Sequence, residues 1–357
     1  MEKSKVYFCD LYSNAENKNL LNSVKKLFDK AGFDSFIDKN DLVAIKLHFG
    51  EKGNTTYMNP LAVRQVVDKV KDCGAKPFLT DTNTLYTGSR TNSIDHITTA
   101  IQNGFAYPVV DAPIIIADGI FSRNYENVKI GQKHFYDVKI GGEIYNSSSM
   151  IVMSHFKGHG MAGFGGVLKN LAMGCASAAG KQMQHSDVTP TVKDAKCVGC
   201  GKCVENCPRE AIKVIDKKAN IDHDLCYGCG ECPTVCPTRA INVQWESDEN
   251  VFIEKMAEFA YGAVSNKIGK VGYISFIMNV TPLCDCVAWS GRPIANDIGI
   301  VALTDPIAIE QACYDLVVKE MGHDVFKHAH PNINATRIID YAYEMGMGNK
   351  EYELIKI

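Results

Sequence analysis

Apolar residues in this chain come in short continuous runs, separated by stretches with a helical repeat. Leu42-Val43-Ala44-Ile45-Lys46-Leu47 is one such run, and its β-branched content predicts a buried strand. Residues 60–70 place Leu61, Val63, Val66, Val67 and Val70 at helical spacing behind a proline in the first turn. That pattern predicts a helix, ended by Cys73-Gly74. Residues 77–81 predict the next strand, 91–104 a second helix, and 114–118 and 150–153 two further strands. Downstream, 251–263 reads as a helix and 271–280 and 298–303 as strands. Asp305 is expected as N-cap and Pro306 as first residue of a helix reaching about residue 321. Strands alternating with helices predict an α/β fold, with mostly parallel sheets and covering helices in one or two lobes.

One segment breaks this rhythm. The chain has 14 cysteines, and eight of them fall between 197 and 236. Cys197, Cys200, Cys203 and Cys207 precede Pro208; Cys226, Cys229, Cys232 and Cys236 precede Pro237. Both runs follow C-x2-C-x2-C-x3-C-P, the spacing of bacterial ferredoxins with two 4Fe-4S clusters. In that arrangement three thiolates of a tight loop wrap one cluster, and the fourth, carried off by the proline turn, serves the other. Cluster one is therefore assigned to Cys197, Cys200, Cys203 and Cys236, and cluster two to Cys226, Cys229, Cys232 and Cys207. Gly199, Gly201, Gly228 and Gly230 leave room for amides to turn toward the sulfurs. A pair of zinc sites would need only four ligands each and not this doubled run. Residues 211–215 and 240–243 read as short strands of the same unit. Segment 191–245 is thus expected as an inserted α+β ferredoxin domain, splitting an α/β domain made of 1–190 and 246–357. The insert has eight Lys or Arg against seven Asp or Glu, which suits a unit serving its own chain better than a mobile carrier steered by charge.

Polar residues gather where the predicted strands end, which is where α/β sheets bind ligands. Lys46 lies near the end of the strand at 42–47 and His48 follows it, Asp81 ends the strand at 77–81, and Ser154-His155-Phe156-Lys157-Gly158-His159-Gly160 follows the strand at 150–153. Beyond lie Gly163, Gly165 and Gly166, then Lys169 and Asn170 in what reads as the first turns of a helix. A glycine-rich loop entering a helix offers free amides to an anion, with Lys157, Lys169 and Lys181 adding charge. Gly158-x-Gly160-x-x-Gly163 matches a dinucleotide fingerprint, but Ala178, Ala179 and Gly180 stand where its acidic partner belongs, and no P-loop Lys-Ser/Thr follows. Both named cofactor loops are set aside.

Six cysteines lie outside the doubled run. Cys9, Cys73 and Cys313 sit in regular elements and read as packing. Cys284 and Cys286, one residue apart after a strand, and Cys175, after the glycine loop, form a candidate third metal or cluster site with an open position.

The stretches Lys46-Leu47-His48-Phe49-Gly50-Glu51, Thr80-Asp81-Thr82-Asn83-Thr84-Leu85-Tyr86 and 154–160, with Gly163-Phe164-Gly165-Gly166, Lys169-Asn170, Cys284-Asp285-Cys286 and Asp305-Pro306, resemble the "domain of unknown function 362" family. Within it the chain is similar to the subset carrying an inserted two-cluster ferredoxin. The resemblance implies an iron–sulfur protein of anaerobic microbes and implies no particular reaction. The α/β pattern is also distantly similar to the lactate racemase family, which uses a nickel cofactor; that likeness bears on fold alone.

Two functions fit these observations. In the first, the chain is an iron–sulfur oxidoreductase. Electrons from an external donor or acceptor such as ferredoxin pass through two 4Fe-4S clusters to a site in the α/β domain, where a small anionic substrate binds. Lys46, His48, Asp81, His155, Lys157 and His159 would be catalytic, with His155 or His159 moving protons. Gly163, Gly165, Gly166, Lys169 and Asn170 would hold the anion. In the second, the chain is a non-catalytic electron-transfer or metal-centre accessory protein for a partner enzyme. Lys and Arg total 38 against 41 Asp and Glu, so nothing in the charge points to nucleic acid. No apolar run reaches the roughly 18 residues of a membrane span, and residues 1–10 lack the apolar core of a signal peptide. A cytoplasmic protein with no membrane or nucleic-acid partner is expected.

Overall fold

Apolar runs without polar alternation can be buried only where both faces of a sheet are covered, and that is where they fall. The computed structural model describes residues 3–85, 88–185, 190–207, 210–223, 225–226, 231–242 and 249–357. Cys229 lies outside them, as do Tyr86, Pro208, Gly228, Gly230 and the expected boundary at 245/246.

Seven strands form one sheet. They are β1 (Ser4–Asp10), β2 (Leu42–Lys46), β3 (Lys76–Thr80), β4 (Ser149–His155), β5 (Val271–Ile277), β6 (Gly299–Leu303) and β7 (Tyr352–Lys356), in the order β7-β1-β6-β5-β4-β2-β3. Only β6 runs against the others, antiparallel to β1 and β5; the remaining neighbours pair in parallel. The fold is mixed α/β with a mostly parallel central sheet and covering helices. Strands on both sides of residues 191–242 enter the same sheet.

Alternate side chains feed two cores. Ile151 and Met153 of β4 join one apolar cluster with α1 (Leu20–Lys30) and α2 (Pro60–Asp72). Met150 and Val152 join the other, beneath α4 (Val167–Cys175), α6 (Glu249–Val264), α7 (Pro306–Met321) and α8 (Arg337–Glu344). Two further helices, α3 (Ser93–Ala100) and α5 (Ala178–His185), lie between β3 and the cysteine-rich segment in the chain. The caps expected for α7 are present. Asp305 Oδ1 accepts from the amides of Ile307 (2.9 Å) and Ala308 (3.1 Å), with Pro306 at N1.

Two expectations change. Residues 114–118 form a single bridge, Ile114 to Leu79, rather than a strand. The segment runs along the open edge of β3, and Pro113 has no amide to give the ladder. The expected glycine loop at 158–166 is a short hairpin, Lys157–His159 against Gly163–Gly165.

The cysteine-rich segment has a small core of its own. Ile212–Ile215 pairs antiparallel with Lys218–Ile221, and Thr191–Val192 with Ile241–Asn242. Cys203, Ile212, Ala219, Ile221, Cys232 and Ile241 pack together as one apolar cluster. The side chain of Glu231 ties the segment to the larger unit, accepting from Tyr125 OH (2.5 Å) and Lys139 Nζ (2.5 Å). Among the described residues no helix is long and apolar enough to cross a membrane.

Candidate functional site

Because β4, β2 and β3 are parallel neighbours, their carboxyl ends meet at one edge of the sheet. A cavity of about 220 Å³ opens there. Of the residues singled out above, His48, Asp81, His155, Lys157, His159, Gly166, Lys169, Asn170 and Cys286 border it. Lys46 lies just behind. Its fully buried ammonium meets Asp81 Oδ1 at 3.0 Å and Asn170 Oδ1 at 2.6 Å. Gly174 makes space for it, since a Cβ there would run into Lys46 Nζ. Gly163 and Gly165 belong to the hairpin and are not among the lining residues.

Burial sets most of the electrostatics. Burial alone would raise the Asp81 carboxyl, but Lys46, with Arg90 nearby, holds it far below the usual carboxylate range. Asp285 is held low in the same way, by His155 and Lys157 against burial. Burial pushes Lys169 down to about 7 and Lys181 down to about 8. Lys157 is also lowered by burial, and its ammonium donates to the His155 carbonyl at 2.8 Å.

The histidines differ in what they have free. His155 Nδ1 meets Asp285 Oδ2 at 2.8 Å, and Nε2 meets the Met278 carbonyl at 2.7 Å. Both partners only accept, so both nitrogens donate, and the ring clamps β4 to the loop after β5. It has no open nitrogen with which to move a proton, contrary to the expectation above. His48 Nδ1 accepts from the Gly50 amide (3.0 Å), which leaves the hydrogen on Nε2. That atom is buried and unpartnered. His159 Nδ1 accepts from the amides of Met161 (3.3 Å) and Ala162 (3.1 Å), again leaving the hydrogen on Nε2. Burial lowers both rings well below the ordinary histidine range, so they stay neutral donors.

The cavity wall is therefore rich in donors and cations, with methionines Met58, Met153, Met161 and Met173 between them. It is suited to a small anion with some apolar surface. Sequence reading missed Arg90 and the methionines. Arg90 is 1% exposed and pairs with Glu51 Oε2 at 3.1 Å. It stands in a polar loop, Ser89-Arg90-Thr91-Asn92, with no periodic signal to mark it.

The anion site expected at the start of α4 is already filled. Glu310 Oε2 accepts from the Val167 amide at 2.6 Å, so the free amides of that helix end cap a carboxylate of the same chain. Burial raises Glu310 to about 7 despite these bonds.

Cys175 also departs from expectation. It is the last residue of α4 and fully buried in the core, its thiol turned to the Asn170 carbonyl (3.9 Å), and burial pushes it up to about 11. Cys284 and Cys286 are joined to each other by a disulfide. The group that approaches them is His159, whose ligand atom lies within 4.8 Å of both sulfurs. Joined in a disulfide the two sulfurs are weak ligands; as thiols, Cys284 and Cys286 with His159 are a group that could hold a metal ion.

The cysteine-rich segment offers a different donor set. Cys197, Cys200, Cys203 and Cys236, from both ends of the segment, line one recess. The amide of Ala219 donates to Cys197 Sγ (3.3 Å) and that of Ala240 to Cys236 Sγ (3.2 Å). Four thiols with amide donors behind them fit a four-iron cluster. Of the second set, Cys207 Sγ likewise accepts from the Ala211 amide (3.3 Å). Cys232 is buried and Cys226 partly buried, while Cys229 is outside the described residues.

Among solved structures, the chain is similar to the lactate racemase apoprotein from Thermoanaerobacterium thermosaccharolyticum, at 11% identity and a TM-score of 0.38. The match covers 76% of this chain and 50% of that one, so this chain spans about half the length of the protein it matches. No curated protein matches the sequence. The family model described as "Domain of unknown function (DUF362)" matches residues 43–315, a span that includes the cavity, the cysteine-rich segment and the disulfide loop, and the chain belongs to that family.

Proposed function

We propose that this protein is an iron–sulfur oxidoreductase. Two 4Fe-4S clusters, on Cys197, Cys200, Cys203 and Cys236 and on Cys226, Cys229, Cys232 and Cys207, would carry single electrons between an external partner such as ferredoxin and the cavity. The ligand there would be a small anion. The observation that carries the reading is the recess in which the distant Cys236 joins Cys197, Cys200 and Cys203, the grouping that the doubled spacing predicts.

When bound, the clusters supply low-potential single electrons. The chain's own residues do the rest. Lys157 and Lys169 attract the anion, and Nε2–H of His48 and of His159 donates to it. Asp81 and Lys46 neutralise each other and keep the floor of the cavity in place. Asp285, held by His155, fixes the loop that closes one side.

Anaerobically purified protein should hold about eight iron and eight sulfide per chain. Cys236→Ala should lose about four of each, with one electron paramagnetic resonance signal of the reduced protein disappearing. Zinc in place of iron, or iron unaffected by Cys236→Ala, would sink the proposal. A protein with about eight iron whose cavity binds no small anion would instead act as a relay or accessory protein for a partner enzyme.

A further inference from the structure

The loop after β5 carries Cys284-Asp285-Cys286, with its two cysteines in a disulfide. The two sulfurs have different surroundings. Cys286 borders the cavity. Cys284 is 3% exposed, and its Sγ receives Lys169 Nζ at 3.4 Å and the Cys286 amide at 3.4 Å. Contacts other than the S–S bond also hold the loop. The Thr281 carbonyl accepts from the Gly158 amide (2.7 Å), the Pro282 carbonyl meets His330 Nε2 (2.8 Å), and Asp285 is bound to His155.

We propose that Cys284 and Cys286 are a two-electron disulfide/dithiol couple built into the cavity wall, with Cys286 facing the ligand and Cys284 receiving the electron pair. A thiolate attacking Cys286 Sγ would form a mixed disulfide and break the S–S bond. The bonding pair would leave on Cys284 as a thiolate beside the Lys169 ammonium and the Cys286 amide, which stabilise it. A second thiolate would then release Cys286 and carry away the new disulfide. With electrons in place of thiols, the S–S bond takes up two electrons and two protons to give two thiols. Each 4Fe-4S cluster carries one electron, so two reduced clusters match one disulfide. That electron source rests on the iron–sulfur reading; the couple itself does not.

The test uses whole protein purified anaerobically. Samples are equilibrated with mixtures of reduced and oxidised dithiothreitol, alkylated with iodoacetamide, and the peptide carrying both cysteines is weighed. The expected result is a single transition from no label to two labels. Lys169→Met should move its midpoint toward the disulfide by about fivefold in the dithiothreitol ratio, the loss of roughly one hydrogen bond to the thiolate. Cys284→Ser should leave Cys286 labelled throughout. Two labels in every mixture, or a stoichiometric metal that Cys286→Ser removes, would overturn the couple.

A dithionite titration adds the second arm. The wild type should take up about four reducing equivalents per chain and Cys284→Ser about two, each with about eight iron. About eight iron with only two equivalents in the wild type would defeat the couple as electron acceptor. Iron well below eight would defeat the cluster reading and leave the thiol result standing.

Discussion

Replacing Glu310 with Gln tests how the start of α4 is held. Glu310 is fully buried, caps the Val167 amide, and has its other oxygen unpartnered. Burial moves its carboxyl from an ordinary 4.5 to about 7. The folded chain therefore keeps this proton between about pH 4.5 and 7, where the unfolded chain has lost it. The protonated form favours folding, so this group's contribution is fully present below pH 4.5 and is lost as pH rises toward 7. The full swing is about 3 kcal/mol, at roughly 1.4 kcal/mol per pH unit. Glu310→Gln keeps the shape and stays neutral. It carries a fixed cost of about 1–2 kcal/mol for a buried amide hydrogen without a partner, but that cost does not vary with pH. The stability of the variant relative to wild type should therefore rise between pH 5 and pH 8 by about 2.5 kcal/mol, or roughly 3–4 °C in melting temperature for a chain of this length. The assay is thermal melting of both proteins at each pH; taking the difference cancels every other titrating group. A difference that stays flat from pH 5 to pH 8 would refute the reasoning. It would mean that the helix end stabilises the ionised carboxylate enough to cancel the cost of burial.

Three further outcomes are expected. Lys46→Met strands Asp81 as a buried charge and should cost about 3–5 kcal/mol, whereas Lys46→Met with Asp81→Asn should recover part of that loss; equal melting temperatures for the single and double variants would rule out the coupling. Lys169, at about 7, should be half-reactive toward acetic anhydride near pH 7 and level off above pH 8, while exposed lysines keep gaining reactivity; peptide mapping that finds Lys169 tracking those lysines would contradict its depression. Gly158→Ala drives a Cβ into the Thr281 and Pro282 carbonyls and should cost about 1–3 kcal/mol, whereas Gly160→Ala, whose nearest neighbour is Leu283 Cδ2 at 3.8 Å, should change stability by about 0.5 kcal/mol or less; similar effects at the two positions would show that the hairpin is not pressed onto that loop.

Features carried by local pattern were legible in the sequence. The run at β2, the spacing in α2 and the Asp305-Pro306 cap of α7 each specify their element within a few residues, because periodicity and capping act locally. The polar strand ends were also readable, from a rule about parallel sheets, and spacing alone grouped Cys236 with Cys197, Cys200 and Cys203, which line one recess. The tertiary structure decided what depends on contacts distant in sequence. It made β4, β2 and β3 neighbours, and so drew His48, Asp81 and His155 to one cavity. It brought Glu310, 143 residues from Val167 in the chain, to the start of α4, and so closed the site where an anion was expected. It turned Cys175 into the core and left Cys284 and Cys286 to each other. A sequence pattern fixes which groups a segment carries and which way its backbone tends to fold. Which groups face one another in a place without water is set by packing between segments, and burial there decides their charge.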